Sequence, residues 1–142
     1  MKLVDKGHHA PAPRLVSPHA QRVAETLASW KGVNARTHWY LGDETVVDGA
    51  DFYLGEEELG HIHLEAEAHV ALPPSVVEAV IRAGLGRPFR WSRGFVVCRI
   101  DGEAAAENAL WLFALSLACR AGTPTRELLA RVEARSPQAK TA

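Results

Sequence analysis

The sequence predicts an α+β fold: a mainly antiparallel sheet of about four to five strands with helices packed on one face. Three observations carry this. Helical and strand periods segregate along the chain, in the order helix, several strands, helix, strand, two helices. The first strands follow one another through short turn signals, for which hairpins are the simplest connection. Finally, residues 60–72, GHIHLEAEAHVAL, alternate apolar and ionisable side chains, the pattern of a sheet with only one face in the core.

With 142 residues and 47% hydrophobic side chains the chain suits one globular domain. Residues 1–16 and 136–142 lack periodicity and read as loose tails around a domain spanning 17–135. Ser17 and Pro18 read as an N-cap and first helical residue, followed by Val23, Leu27 and Trp30 at helical spacing until Gly32. THWYL, ETVVDGADFYL and ELGHIHLEAEAHVAL then read as strands, with a tight turn expected at Asp48-Gly49. Pro73-Pro74 ends the last and opens a helix with Val76, Val77, Val80 and Ile81 on one face, closed by Gly84. GFVVCRI is apolar on both faces and belongs inside a sheet. Asp101 is placed to cap the next helix, whose ALWLFALSLAC run must be buried. A last helix begins at Thr123-Pro124 and buries Leu128, Leu129 and Val132.

Cys98 and Cys119 each lie in an apolar run, which suggests two buried free thiols and a reducing compartment. The N-terminus has no apolar signal region and no apolar run spans a bilayer, so a cytoplasmic protein without membrane contact is expected. A formal net charge of −1 argues against nucleic acid as a partner.

Within the alternating stretch the odd positions His61, His63, Glu65, Glu67 and His69 share a face. Two histidines at i and i+2 reach one ion, so His61 and His63, completed by Glu67 or by a third histidine such as His38 or His69, form a candidate site for a divalent metal such as zinc, with His61, His63 and Glu67 as the set expected. Read as one long strand, the stretch holds His61 and His69 roughly 26 Å apart. The absence of glycine or proline at residues 65–67 speaks against a turn there. The simpler alternative is a solvated polar sheet face.

Charge is segregated: residues 37–81 hold ten acids and no Lys or Arg, whereas residues 82–100 hold five arginines and no acid. Arg87, Arg90 and Arg93 with Trp91 are therefore suited to a small anion, and the ligand-binding candidates are these four with His61, His63 and Trp39. Alternatively the arginines answer the acidic strands within the fold or across a homodimer.

ELGHIH, HVALPP, GLGRPFRW, GFVVCRI and the helix DGEAAAENALWLFALS, taken in order, resemble the luciferase-like domain family between Trp30 and about Arg120. Gly60, His61, His63 and Gly94 match its signature. The resemblance also marks departures: His69 stands where the family tends to have aspartate, Phe95 stands for tryptophan, and the loop PFRWSR is shorter and lacks the family's histidine. Together these readings lead to a small-ligand-binding or regulatory module that homo-oligomerises. The alternatives are a metal-dependent enzyme built on His61, His63 and Glu67, and a structural interaction module.

Overall fold

A computed structural model describes residues 11–136. Helix α1 (Pro18–Ser29) starts where expected, with the Ser17 hydroxyl accepting from the Ala20 amide, and buries Ala20, Val23 and Leu27. Strands β1 (Val33–Tyr40), β2 (Asp43–Leu54), β3 (Glu57–His63) and β4 (Glu67–Ala71) follow as hairpins. Helix α2 (Pro74–Arg82), the two-residue strand β5 (Arg87–Pro88), strand β6 (Phe95–Arg99) and helices α3 (Glu103–Arg120) and α4 (Thr125–Arg135) complete the chain. The strands form one antiparallel sheet in the order β1-β2-β3-β4-β6-β5, so the α+β expectation holds with six strands rather than four to five. Beyond the four segments read as strands, one is gained by the division of residues 58–72 into β3 and β4 and one is the short β5.

Ala50, Phe52, Ile62, Ala68, Val70, Val96 and Cys98 turn one face of the sheet toward the helices and are buried. Helix α3, apolar nearly all round, lies across β3 and β4 with Leu112, Phe113 and Leu115 inside. Its Ser116 hydroxyl lies 3.0 Å from the Leu59 carbonyl and 2.7 Å from that of Ala71, which ties the helix to both strands. Leu15 is buried and the Pro11 carbonyl accepts from the Thr37 hydroxyl, so this part of the segment expected as a tail lies on the domain. Residues 1–10 and 137–142 of the expected tails lie outside the described residues. Among the described residues no helix is long and apolar enough to cross a membrane.

Four local expectations are corrected. The run 58–72 is not one strand but two, β3 and β4, reversing through Leu64, Glu65 and Ala66. Ala66 adopts φ +76, the left-handed conformation that closes a three-residue hairpin loop and is normally given to glycine. The register pairs His61 with His69 and Ile62 with Ala68, so the odd and even faces stay intact through the reversal. Asp48-Gly49 is no turn; it is an irregularity inside the long strand β2, where the pairing steps from His38↔Gly49 to Trp39↔Val47 and leaves Asp48 as the extra residue. Helix α3 is capped by the Gly102 position without a side-chain cap, so Asp101 does not serve as one. Cys98 is buried as expected, with burial raising its thiol pKa to about 12, but Cys119 is only half-buried.

The strained Ala66 makes a testable statement about stability. Ala66→Gly removes about 1–2 kcal/mol of left-handed strain but forfeits a largely buried methyl worth about 0.8 kcal/mol and frees the unfolded chain. Chemical denaturation should therefore place Ala66→Gly within about 1 kcal/mol of the wild type. Ala68→Gly in the adjoining strand relieves no strain and should lose about 1–2 kcal/mol.

Candidate functional site

The fold-back at Ala66 gathers histidines onto the sheet face that the helices leave uncovered. One row crosses all six strands, Arg36, Asp51, His61, His69, Val97 and Arg87 in paired register. A second, shorter row runs His38, Gly49, His63. Gly49 puts no side chain between the two histidines, and their rings meet edge to face with centroids 5.1 Å apart. No other residue fits there: a Cβ on Gly49, at φ +153, would fall 2.0 Å from the Ile62 carbonyl oxygen.

A second irregularity, the extra residue Leu59 in β3, sends Leu59 into the core and turns Glu58 to the histidine face. The adjacent Gly60 lets strand and helix close up, since a Cβ there would lie 2.4 Å from the His69 carbonyl oxygen and 2.8 Å from the Phe113 ring. Each β-irregularity thus aims one carboxylate at the site, Asp48 from β2 and Glu58 from β3.

The ionisable groups lie in close contact throughout. His38 Nδ1 donates to Asp51 Oδ1 at 2.7 Å, and the Tyr53 hydroxyl donates to Asp51 Oδ2 at 3.4 Å. His63 Nδ1 donates to Asp48 Oδ2 at 2.9 Å. His69 Nε2 lies 2.8 Å from Glu67 Oε1, His69 Nδ1 lies 3.1 Å from His61 Nε2, and His61 Nδ1 lies 3.4 Å from Glu58 Oε2. His38 also stacks on His61, centroids 4.1 Å apart and planes 8° from parallel. Asp51 is fully buried, so its bonds from His38 and Tyr53 offset the cost of removing its carboxylate from water.

Burial holds the pKa of His61 well below the usual imidazole range, helped by His38, His69 and His63 and opposed by Asp51. Burial also lowers that of His69, against the opposing bond to Glu67. The bond from His69 in turn keeps the Glu67 carboxyl below its ordinary value. With both rings neutral, the His69 Nε2 proton goes to Glu67 and the His61 Nε2 proton to His69. The lone pair of His61 Nδ1 then faces Glu58 across the longest contact of the chain.

Above this floor is an open cavity of about 570 Å³, walled by Trp39, Tyr40 and Leu41 of the β1–β2 hairpin on one side and Phe89, Trp91 and Phe95 on the other. Phe89 packs on His69 with centroids 4.7 Å apart. Leu41 and Trp91, at 90% and 75% exposed, stand at its mouth.

Of the residues singled out from sequence, His61, His63, Trp39 and Trp91 line the cavity, while Arg87, Arg90 and Arg93 do not. Arg90 lies over Trp91, 4.7 Å from the ring centroid, and Arg93 pairs with Glu78 at 2.9 Å. Glu67 lies on His69 rather than with the His61–His63 pair. The carboxylates Asp48, Asp51 and Glu58 were not singled out, because strand parity read without irregularities does not bring Asp48 or Glu58 to this face. Phe95 falls in the strand expected to be apolar on both faces and Phe89 in the loop PFRWSR.

Residues 56–116 match the family model described as the luciferase domain. This agrees with the resemblance read from ELGHIH onward, over a shorter stretch than Trp30 to Arg120, and marks that stretch as similar to a luciferase domain. No curated protein and no solved structure was found to match the chain. The matched stretch contains Glu58, His61, His63, Glu67, His69, Phe89, Trp91 and Phe95; His38, Trp39, Asp48 and Asp51 lie before it.

The depressed pKa values of His61 and His69 set the sign of a pH effect. Between the native pKa of each ring and the unfolded value of 6.5, the unfolded chain binds more protons than the folded one. Stability is fully present above that value and is lost as pH falls through the native pKa. Thermal unfolding of chelator-treated protein should show a falling midpoint below about pH 6.5, with a shallower slope for His61→Asn. A midpoint that rises on acidification would contradict burial of neutral rings.

Proposed function

We propose that this domain binds a small, uncharged and largely apolar molecule in the cavity over the histidine floor. One observation carries the reading: about 570 Å³ of open space is walled by Trp39, Tyr40, Leu41, Phe89, Trp91 and Phe95, with polar groups confined to the floor and rim. The volume lies within the range of small-molecule sites, and an apolar wall above a few polar anchors is their usual composition. The wall supplies affinity by apolar burial, and the histidines orient whatever polar atom the molecule presents.

The sign of the charge follows from the lining. Glu44, Asp48 and Glu58 border the cavity and, among the described residues, no Lys or Arg does, which disfavours the small anion suggested by the arginine-rich segment. The luciferase-domain match supports a role in handling a small organic molecule, since both the β3–β4 floor and the Phe89–Phe95 wall fall inside the matched residues.

The test uses Nile red, an uncharged fluorescent dye, titrated into the full chain. Saturable enhancement at one equivalent is expected, and Phe89→Ala with Trp91→Ala should weaken it by about tenfold or more, the loss of roughly 1.4 kcal/mol of wall contact. Absence of binding, or equal affinity in the double variant, would remove the cavity as the ligand site.

A further inference from the structure

We infer that His38, His61 and His63 form a binding site for a single divalent transition-metal ion at the floor of the cavity, with Asp51 and Asp48 as its outer carboxylates. Each of the three rings offers one nitrogen, and the three nitrogens lie within 4.8 Å of one another. The inference goes beyond the ligand-binding reading and does not rest on it.

The surroundings of the rings carry the assignment further than proximity. A histidine that ligates a metal ordinarily donates its other N–H to a carboxylate or carbonyl, which sets the tautomer and aims the lone pair. Two of the three already do so: His38 Nδ1 donates to Asp51 at 2.7 Å and His63 Nδ1 to Asp48 at 2.9 Å. Nε2 is thereby the lone-pair nitrogen of both rings. Glu58, beside His61, adds negative charge that compensates a dication.

The group Asp51, Glu58 and His61 meets the same distance condition. Asp51, however, is committed through both oxygens to His38 and Tyr53, which makes it the orienting partner rather than the ligand. Glu67, expected from sequence to complete the set, is replaced by His38, because its Oε1 is taken by His69 Nε2.

Three neutral imidazoles suit zinc, cobalt, copper or ferrous iron and not magnesium or calcium, which take oxygen ligands. Metal–nitrogen bonds of about 2.0–2.1 Å require the nitrogens to draw together, and the parallel stack of His38 on His61 must open as both lone pairs turn inward. Three protein ligands leave at least one coordination position, and the cavity lies over it. An ion there would polarise an oxygen or nitrogen of the bound molecule, as open three-ligand sites do.

The experiment titrates chelator-stripped full chain with Zn²⁺ by calorimetry, and with Co²⁺ by visible absorption to read the ligand field. One equivalent is expected, with a cobalt spectrum of low-symmetry, nitrogen-rich coordination. His38→Gln and His63→Gln, checked for folding by circular dichroism, should each weaken binding by at least about 100-fold, and Asp51→Asn by about 10–100-fold. His19→Gln, on the exposed side of α1, and a His8→Ala/His9→Ala variant should bind as the wild type does. No binding by the wild type, retention in His38→Gln, or loss in His19→Gln or in the His8/His9 variant would overturn the assignment. Nile red binding is read on the same metal-free samples, so failure of the metal site and failure of the ligand site are separately visible.

Discussion

Four histidines and four carboxylates crowd one sheet face that is largely shut from water, and each must find a partner there. A fully buried Asp51 cannot stand beside an unpaired imidazole without a large desolvation cost. The geometry meets this demand with three backbone devices: the left-handed reversal at Ala66, the extra residue Asp48 in β2 and the extra residue Leu59 in β3. The first sets His69 against His61, the second turns Asp48 to His63, and the third turns Glu58 to His61. Gly49 and Gly60 are placed where these devices leave no room for a side chain. The polar face is organised before any ligand arrives, which is what orienting groups in a binding site require.

Much of this was legible in residue order, and the losses have definite causes. The α1 cap at Ser17, the proline start of α2, the two-sided apolar strand and the buried α3 all follow from local pattern, and the structure contains each. The alternation in residues 60–72 correctly assigned His61, His63, Glu67 and His69 to a face away from the core. It could not announce the reversal, because Ala66 carries a conformation that turn signals assign to glycine. Asp48-Gly49 carries a strong turn signal and instead lies inside a strand, since glycine at positive φ serves an irregular pairing as well as a turn. Once two extra residues shift parity, counting by twos no longer identifies which acids face the histidines.

The arginine-rich segment shows the opposite case, in which composition suggested a site and the fold dispersed it. Arg93 answers Glu78, Arg90 covers Trp91, and Arg87 joins the end of the histidine row, where its charge helps to lower the Glu67 pKa. What the segment contributes to the cavity is its aromatic residues, Phe89 and Trp91. The luciferase-domain match spans this wall and the β3–β4 floor together, while the first strand hairpin supplies His38, Trp39 and Asp48 from outside it.

The account rests on β3 and β4 lying side by side, and nuclear Overhauser contacts between His61 and His69 test that most directly. As cross-strand partners with ring centroids 4.9 Å apart, they should give clear contacts among their ring and backbone protons. A continuous strand through residues 60–72 would hold the two histidines roughly 26 Å apart. Absence of every His61–His69 contact in a well-assigned spectrum would then return the alternating residues to an ordinary solvated sheet face.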